Sequence, residues 1–369
     1  MKKLLFGAYS LDIGGIEKAL VILVNKLQEK GYDITLVLEK KQGIFLNEID
    51  PKIKIIEYAP SNSKNKIQRK IINLIKRIKF TLKYKNKYDF SASFATYSLP
   101  SSFVARTASK NCYLWGHADY LTLFDGNAEE MKEFFIERNY DKFKKIIFVS
   151  KEGKDSFIKV FPKMNEKTMV CNNLIDADKI LELSKEKIPE EDLSKINKLE
   201  NTQKETTIFI NVGRHQEKQK KLSRLIEAAT MLKKDNMNFK IIFIGDGPET
   251  EEYKKQVKNN QLENNIIFLG KKQNPYPYFK IADCVVLTSD YEGYPVVFLE
   301  SFILEKPIIT TKVSDYQEVE NKYGFVTEKD TKDIYEKMKN FILNGFEIKE
   351  KFYYKKYNEE ILKKIEDLF

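Results

Sequence analysis

The sequence predicts an α/β protein with two doubly wound lobes, and three observations lead to this prediction. The chain has 369 residues, which suggests about two domains of ~150 residues each. Strand-like and helix-like segments alternate along both halves, as expected for mostly parallel sheets with helices on both faces. A polar segment between Lys185 and Thr206 separates the halves and contains no apolar run suited to a sheet.

The strand candidates are short apolar runs. In the first half they are KLLFGA, DITLVL, KIKIIEY, FSASF, CYLWG, KIIFVS and TMVCN, and in the second half TIFINVG, FKIIFIG, NIIFLG, DCVVLTS and KPIITT. A last amphipathic stretch, from Tyr354 to Leu368, needs an apolar surface on which to dock. We place the domain bounds at 1–186, 187–350 and 351–369.

Composition assigns the chain to the globular class, with 42% apolar and 32% charged residues. No stretch approaches the ~20 apolar residues that a membrane span needs. Asp12 and a glycine pair follow the first apolar run, so we interpret that run as a buried strand and not as a signal peptide. Three scattered cysteines without a CxxC pair favour a reducing, cytoplasmic location.

The net charge of +10 is concentrated in one segment. No acidic residue lies between Tyr58 and Tyr88, and Lys or Arg recurs through residues 64–87. Apolar residues recur there at helical spacing, at Ile67, Ile71, Leu74, Ile75, Ile78 and Leu82. This basic amphipathic helix suits an anionic membrane surface, where each Lys or Arg adds ~1 kcal/mol. The alternative is that the stripe packs on its own domain. Nucleic acid is not expected, because stacking aromatics and binding motifs are missing.

The segment NVGRHQEKQKKLSRLIEAA favours a diphosphate site in the second lobe. A buried strand is expected to end at Val212, Gly213 makes the turn, and Arg214 follows directly. Lys220 and Lys221 precede a periodic helix. A strand end, a helix amino terminus and fixed cations together form an anion site. The alternative is an ordinary basic surface.

The segment SDYEGYPVVFLESF predicts the second half of that site. Pro295 suits the first position of a helix, where its missing N–H costs nothing. The amides of Val296 and Val297, with Gly293, are then available to a phosphate.

Two carboxylates flank the predicted phosphate position. Glu300 lies ~7 Å along the helix from Pro295, and Glu292 stays on the turn before it. Carboxylates accept hydrogen bonds from sugar hydroxyls, so this pair suits a nucleotide sugar, with Glu300 on the ribose and Glu292 on the transferred sugar. The alternative is that both are ordinary helix-end and surface charges.

Five pieces of sequence carry a family resemblance: GGIEKAL, NVGR with the following lysine, GDGPE, NPYPYFKIADCVVLTS and EGYPVVFLE. With them the chain resembles a GT-B retaining glycosyltransferase of family four, glycosyl transferases group 1. The resemblance implies two Rossmann-like lobes facing a cleft, a C-terminal helix that returns to an acceptor-binding N-terminal lobe, and a C-terminal lobe that binds the nucleotide sugar.

The resemblance also implies an activity. A sugar would pass with retention from a nucleoside-diphosphate sugar, with UDP-sugar favoured, to a glycan or lipid-linked acceptor in bacterial surface-polysaccharide or capsule synthesis. Neither a metal nor a cofactor is expected. The leaving phosphate would help to deprotonate the acceptor hydroxyl in a front-face attack. The protein would then be cytoplasmic, and residues 64–87 would bind it to the inner face of the membrane.

Residue roles follow from the same resemblance. Arg214 and Lys220 would grip the diphosphate and act in catalysis with Glu292 and His117. Gly14 and Gly15 would let a loop approach the donor sugar, and Asp119 would support His117 or meet the acceptor. The segment after Arg214 is one residue longer than the family pattern, so Lys218 and Lys221 stay open as alternatives to Lys220.

The sequence bears on four other interpretations. Asp176 and Asp178 formally match the DxD metal motif of GT-A enzymes. A GT-B sugar-nucleotide 2-epimerase or a non-catalytic nucleotide-sugar-binding protein would share the two lobes. A nicotinamide enzyme is disfavoured because DIGGIEKAL lacks the GxGxxG spacing.

Overall fold

The computed structural model describes residues 1–12, 14–197 and 206–369. The chain forms two compact units, and each is described by itself. The first unit contains Met1–Ile175 and Lys355–Phe369, and the second contains Asp176–Tyr354.

The first unit is built on a parallel sheet with seven strands in its described residues. Their order is β3-β2-β1-β4-β5-β6-β7. The strands are β1 Lys3–Ala8, β2 Asp33–Leu38, β3 Lys54–Glu57, β4 Phe90–Ser93, β5 Cys112–Gly116, β6 Lys145–Phe148 and β7 Thr168–Val170. The α-helices are α1 Gly15–Glu29, α2 Lys66–Tyr84, α3 Leu99–Ala108, α4 Tyr120–Leu123, α5 Ala128–Glu137 and α6 Lys151–Val160. Short 3-10 helices span Ile44–Glu48, Tyr140–Lys142 and Pro162–Lys167.

The second unit repeats this architecture with six parallel strands in its described residues, in the order β10-β9-β8-β11-β12-β13. The strands are β8 Thr207–Val212, β9 Phe239–Ile244, β10 Ile266–Gly270, β11 Cys284–Leu287, β12 Ile308–Thr311 and β13 Gly324–Thr327. The helices are α7 Ala177–Leu183, α8 Glu190–Asn197, α9 Glu217–Lys220, α10 Leu222–Lys234, α11 Thr250–Asn259, α12 Tyr276–Ile281, α13 Val296–Ile303 and α14 Thr331–Asn344, with a 3-10 turn at Tyr316–Glu318.

The last helix, α15 Tyr354–Glu366, packs almost wholly within the first unit. Its Glu366 accepts hydrogen bonds from Lys30 Nζ at 2.7 Å and from Tyr32 Oη at 3.0 Å. Beyond the helix, the Phe369 ring meets the Phe90 ring edge-on at 4.9 Å. The apolar stripe predicted for this segment faces the first unit, and its residue Ile365 is only 1% exposed.

The strands form where the sequence predicts apolar runs, since a parallel sheet covered on both faces needs continuous apolar strands. Two features differ from the prediction. Strand β13 was not predicted, and helix α8 occupies part of the segment interpreted as a linker. The α8 residue Asp192 is buried and pairs with Lys272 at 2.5 Å. The rest of that segment, residues 198–205, lies outside the described residues.

The boundary between the two units, after Ile175, falls earlier in the chain than the predicted bound at 186/187. Helix α7 precedes that bound but contacts α12 and α13 of the second unit. The bounds 1–186, 187–350 and 351–369 stay a prediction about folding units.

The C-terminal helix should stabilise the first unit. Ile365→Ala leaves a cavity at a fully buried position, and we expect a loss of about 2–5 kcal/mol in the free energy of unfolding. Urea unfolding followed by circular dichroism measures this loss. Leu343→Ala, at a position 63% exposed, is the control and should change stability by less than about 0.5 kcal/mol. Equal effects of the two variants would contradict the docking of α15.

Candidate active site

Strands β8 and β11 are neighbours in the second sheet although they are distant in sequence. They run parallel, with Phe209 opposite Cys284 and Ile210 opposite Val285. This adjacency is the topological switch point of the sheet, where open α/β proteins bind ligands beyond the carboxyl ends of the strands. The loops that follow the two strands meet there, and the Asp290 amide donates to the Gln219 carbonyl at 2.8 Å.

The switch point joins two predicted site residues, Lys220 and Glu292. Lys220 Nζ lies 2.6 Å from Glu292 Oε1, and the two side chains are only 19% and 8% exposed. Ser289 Oγ donates to the same oxygen at 2.6 Å, and Gln219 Nε2 donates to Oε2 at 3.3 Å. Because a buried carboxylate is costly unless it is paired and hydrogen-bonded, these three donors fix the Glu292 carboxylate at the strand ends.

Only one of the three candidate lysines reaches Glu292 in the described structure. Lys221 has a left-handed backbone with φ of 48° and pairs with Glu217 at 3.5 Å. Lys218 is exposed. The Lys220 side chain runs beside Gly213, where an added Cβ would lie 3.5 Å from Lys220 Cε. Arg214 follows Gly213 with an exposed side chain.

The GDGPE loop supports the loop after β8. A Cβ at Gly245, whose φ is +143°, would lie 1.8 Å from the Gly213 carbonyl oxygen, and one at Gly247 would lie 2.0 Å from the His215 carbonyl oxygen. Only glycine permits this approach.

The His215 side chain completes this packing. It is fully buried, and its Nδ1 lies 2.8 Å from Thr250 Oγ1. Burial lowers the pKa of His215. The residue therefore stays neutral at pH 7, and its contact with Thr250 helps to position the loop.

Helix α13 begins at the same edge of the sheet. Its first residue is Val296, and Pro295 is the residue before it, so the helix begins one position later than predicted. No side chain caps this end of the helix. The Phe298 amide donates to the Pro295 carbonyl at 2.9 Å, whereas the amides of Val296 and Val297 are available to an acceptor outside the helix. The preceding turn is held by Ser314 Oγ, which donates to the Glu292 carbonyl at 2.6 Å.

Glu300 is 8% exposed on α13 and accepts a hydrogen bond from Tyr276 Oη at 2.9 Å. Tyr276 starts α12, in the segment NPYPYFK. No role for Tyr276 could be predicted from the sequence of this segment. The contacts of Ser289 and Gln219 with Glu292 were not predicted either, because these are small or neutral residues without a distinctive spacing.

The first unit carries the remaining predicted residues at strand ends. His117 follows β5, its ring lies 4.4 Å from the Phe94 ring, and its buried Nε2 has no hydrogen-bond partner among the described residues. Burial lowers the pKa of His117 to about 3. The residue is therefore neutral at physiological pH.

The Asp119 carboxylate is occupied locally. It caps α4 by accepting from the Thr122 amide at 3.2 Å and from Thr122 Oγ1 at 2.7 Å. Gly14 precedes α1 in extended backbone, and among the described atoms nothing lies within 4 Å of a Cβ added at Gly15.

The formal DxD pair has structural partners. Asp176 caps α7 by accepting from the Lys179 amide at 3.3 Å, and Asp178 accepts from Tyr354 Oη at 3.2 Å. Asp176 thus stabilises the start of α7, and Asp178 contacts the first residue of α15.

The fold places the protein in a structural class. It consists of two Rossmann-like, doubly wound α/β domains, as predicted, and its solved neighbours have the GT-B fold. One is Anabaena HepE in complex with UDP and glucose, with a TM-score of 0.76, 18% identity and coverage of 99% of this chain and 100% of that chain. Another is TarM, with a TM-score of 0.75, 16% identity and coverage of 100% and 98%.

The comparisons then indicate a family. Residues 192–359 match the family model described as glycosyl transferases group 1. An uncharacterized glycosyltransferase of Methanocaldococcus jannaschii is 26% identical over 66% of this chain, and the match spans 58% of that protein. The N-acetylgalactosamine-N,N'-diacetylbacillosaminyl-diphospho-undecaprenol 4-alpha-N-acetylgalactosaminyltransferase of Campylobacter jejuni is 23% identical over 90% of this chain and 88% of its own length. These matches support the resemblance to glycosyl transferases group 1.

No described helix combines the length and the apolarity needed to cross a membrane.

The low pKa of His117 predicts a specific pH dependence of stability. Between pH 6.5 and about 3 the unfolded chain binds a proton at this position and the folded chain does not, so the free energy of unfolding falls as the pH falls. Between pH 7 and 5.5 this loss is about 1 kcal/mol. Urea unfolding at both pH values should show the loss reduced by that amount in His117→Gln. An identical pH dependence in the two proteins would show that His117 is not held neutral.

Proposed function

We propose that the protein is a metal-independent, retaining glycosyltransferase of family four that uses a nucleoside-diphosphate sugar, with UDP-sugar as the favoured donor. The acceptor is a glycan or a lipid-linked glycan in bacterial surface-polysaccharide synthesis, such as capsule. The observation that carries this proposal is the convergence of Lys220, Glu292 and the uncapped start of α13 at the β8/β11 switch point.

The proposed site favours diphosphate chemistry. The amides of Val296 and Val297, with Gly293, supply oriented dipoles for one phosphate, and Lys220 and Arg214 supply positive charge for the other. Negative charge grows on the diphosphate as the glycosidic bond breaks, so these groups stabilise the transition state more than the ground state. Binding of a phosphate would draw Lys220 away from Glu292, and that carboxylate would become free to accept sugar hydroxyls.

The two carboxylates bind the two ends of the donor. Glu300, oriented by Tyr276, binds the ribose hydroxyls, and Glu292 binds the transferred sugar. In the first unit, Gly14 and Gly15 allow close approach of the sugar, and neutral His117 offers its unpaired Nε2 to a hydroxyl. Asp119 binds the acceptor. To do so, its carboxylate must release part of its contact with Thr122.

Several relatives support the acceptor class. The Campylobacter jejuni relative is described as acting on a diphospho-undecaprenol glycan. A capsular polysaccharide biosynthesis glycosyltransferase of Staphylococcus aureus is 32% identical over 136 residues, which span 37% of its length.

Helix α2 supports a location at the inner face of the membrane. Its Phe80 is buried in the first unit, whereas its apolar stripe is solvent-exposed, with Ile67 72%, Leu74 58% and Leu82 78% exposed. Among the residues that the structure describes, no element of the first unit covers this stripe. Basic residues without any acidic residue border it, and this charge is complementary to anionic lipid. We propose that α2 lies on the anionic leaflet.

Transfer assays test the proposed function directly. The protein is incubated with UDP-glucose, UDP-N-acetylglucosamine and related donors, with and without a lipid-linked glycan acceptor and with EDTA. The proposal expects acceptor-dependent release of UDP that resists EDTA, and a product linkage with the anomeric configuration of the donor. Release of a 2-epimer would identify the epimerase alternative, and binding without turnover would identify a binding protein.

Lys220 should contribute more than Lys221 to donor binding. Loss of a charge-assisted hydrogen bond in Lys220→Met is expected to weaken UDP binding by about 10–100-fold. Lys221→Met should change it by less than about threefold, because Lys221 pairs with Glu217. Calorimetric titration with UDP measures both affinities, and circular dichroism checks that both variants fold. A larger loss in Lys221→Met would move the diphosphate contact to that residue.

The exposed stripe should determine membrane binding. Leu74→Ser with Ile78→Ser removes two exposed apolar side chains, and we expect binding to anionic vesicles to fall at least about tenfold. Cosedimentation with phosphatidylglycerol and phosphatidylcholine vesicles at low salt measures this. Leu343→Ser, also exposed but on α14, is the control. Equal binding of the native protein to both vesicle types would contradict the proposal that α2 binds an anionic membrane.

A further inference from the structure

Segment 272–278 follows β10 and runs into α12, and it carries Tyr276, the tyrosine that donates to Glu300. Their hydrogen bond measures 2.9 Å and is buried, because Tyr276 is 3% and Glu300 8% exposed. A hydrogen bond weakens steeply when its donor is displaced or misaligned. The contacts that fix the backbone of Tyr276 therefore determine how well Tyr276 Oη orients the Glu300 carboxylate.

The Asn274 side chain uses both ends of its amide. Its Oδ1 accepts from the Tyr276 amide at 3.1 Å, at the first residue of α12. Its Nδ2 donates to the Leu183 carbonyl at 2.8 Å and to Glu186 Oε2 at 2.8 Å. A backbone amide can only donate and a backbone carbonyl can only accept, so these partners fix which end of the amide is oxygen.

Asn274 thus connects Tyr276 with another part of the second unit. Leu183 is the last residue of α7, and Glu186 lies between α7 and α8. We call residues 177–197, from the start of α7 to the end of α8, the α7–α8 segment.

The α7–α8 segment holds segment 272–278 at a second place. Asp192 on α8 is 3% exposed, pairs with Lys272 at 2.5 Å and accepts a hydrogen bond from Tyr278 Oη. Segment 272–278 is therefore tied to the α7–α8 segment on both sides of Tyr276.

Apolar packing and polar ties have different tasks here. Tyr278 and Phe279 are 2% and 0% exposed, and this burial keeps α12 in the unit whatever stands at position 274. Packing alone leaves the exact position of Tyr276 Oη less defined. A misplacement of ~1 Å can cost ~100-fold in function, so the hydrogen bonds of Asn274 matter for binding more than for folding.

We propose that Asn274 is a positioning residue for recognition of the donor's ribose. Its two donated hydrogen bonds connect Tyr276 to the α7–α8 segment, and Tyr276 Oη in turn orients Glu300 toward the ribose hydroxyls. This inference rests on the proposed function, in which Glu300 binds the ribose. It adds that the affinity for the ribose depends on a contact with the segment that begins the second unit.

The probes are UDP and 2′,3′-dideoxy-UDP, which lacks both ribose hydroxyls. In calorimetric titration the native protein should bind UDP at least about tenfold more tightly, as expected for hydrogen bonds to a charged group. Asn274→Asp keeps an acceptor for the Tyr276 amide, but it has no N–H to donate and repels Glu186. It should lower the preference for UDP at least about threefold and change the affinity for the dideoxy nucleotide less than twofold.

Asn260→Asp is the matched control. Asn260 Nδ2 also donates to a backbone carbonyl, that of Gln256 at 2.8 Å, and it lies at the exposed end of α11 in the same unit. The control adds the same negative charge, and the preference for UDP should stay within twofold of the native value. Circular dichroism checks the fold of each variant, and Asn274→Ala gives the same test if Asn274→Asp does not fold.

Tyr276→Phe separates positioning from a general structural role. It removes Oη alone and should itself lower the preference for UDP. Because Asn274 acts through Tyr276, the double variant should show the preference of Tyr276→Phe within about twofold. Losses that multiply in the double variant would overturn the assignment.

The outcomes distinguish this inference from the proposed function. If the native protein prefers UDP and Asn274→Asp keeps that preference, the positioning inference fails alone. An equal loss of affinity for both nucleotides in Asn274→Asp would overturn it as well, because that loss indicates a structural role. If the native protein binds both nucleotides equally or binds neither, the ribose assignment in the proposed function fails, and the inference fails with it.

Discussion

The parallel pairing of β8 with β11 is the constraint on which the candidate site depends. Strands β9 and β10 and their connecting helices lie between these two strands in the sequence, and the pairing of β8 with β11 brings segment 213–220 against segment 288–295. The Lys220–Glu292 ion pair is the chemical result of this adjacency. A buried ion pair is weak evidence for stability, because desolvation offsets most of its Coulomb energy. Its position at a switch point, beside an uncapped helix, is better explained by binding of an anionic ligand.

The first unit has the same kind of switch point, between β1 and β4, but its chemistry is different. A cavity of about 570 Å³ at this point is lined by Arg77, Arg106 and aromatic rings, and Arg106 Nε has no hydrogen-bond partner among the described residues. Helix α2 forms one wall of the cavity and also presents an apolar stripe to solvent. An exposed stripe of this kind is unusual for a soluble surface and marks an interaction site.

Much of the fold could be predicted from the sequence, because strands covered on both faces must be continuously apolar. Strand β13, with the sequence GFVT, was missed because four residues beginning with glycine carry little pattern. Helix α8 was taken for linker because most of its residues are charged, although Asp192 is buried against Lys272.

At the candidate site, residue types could be predicted but not their pairings. The choice among three lysines depends on the left-handed backbone of Lys221, which ends α9 and starts α10 and is not encoded in a spacing. Likewise, periodicity identified the face of α2 that carries Leu74 and Leu82. It could not show whether another element covers that face.

The most direct test of the central claim is a crystal structure of the protein with UDP. The account predicts the diphosphate at the amino end of α13, within hydrogen-bond distance of the Val296 and Val297 amides. It also predicts that Lys220 Nζ has moved from Glu292 to a phosphate oxygen and that Glu300 contacts the ribose. A nucleotide bound elsewhere, or bound with the Lys220–Glu292 pair intact and α13 untouched, would contradict it.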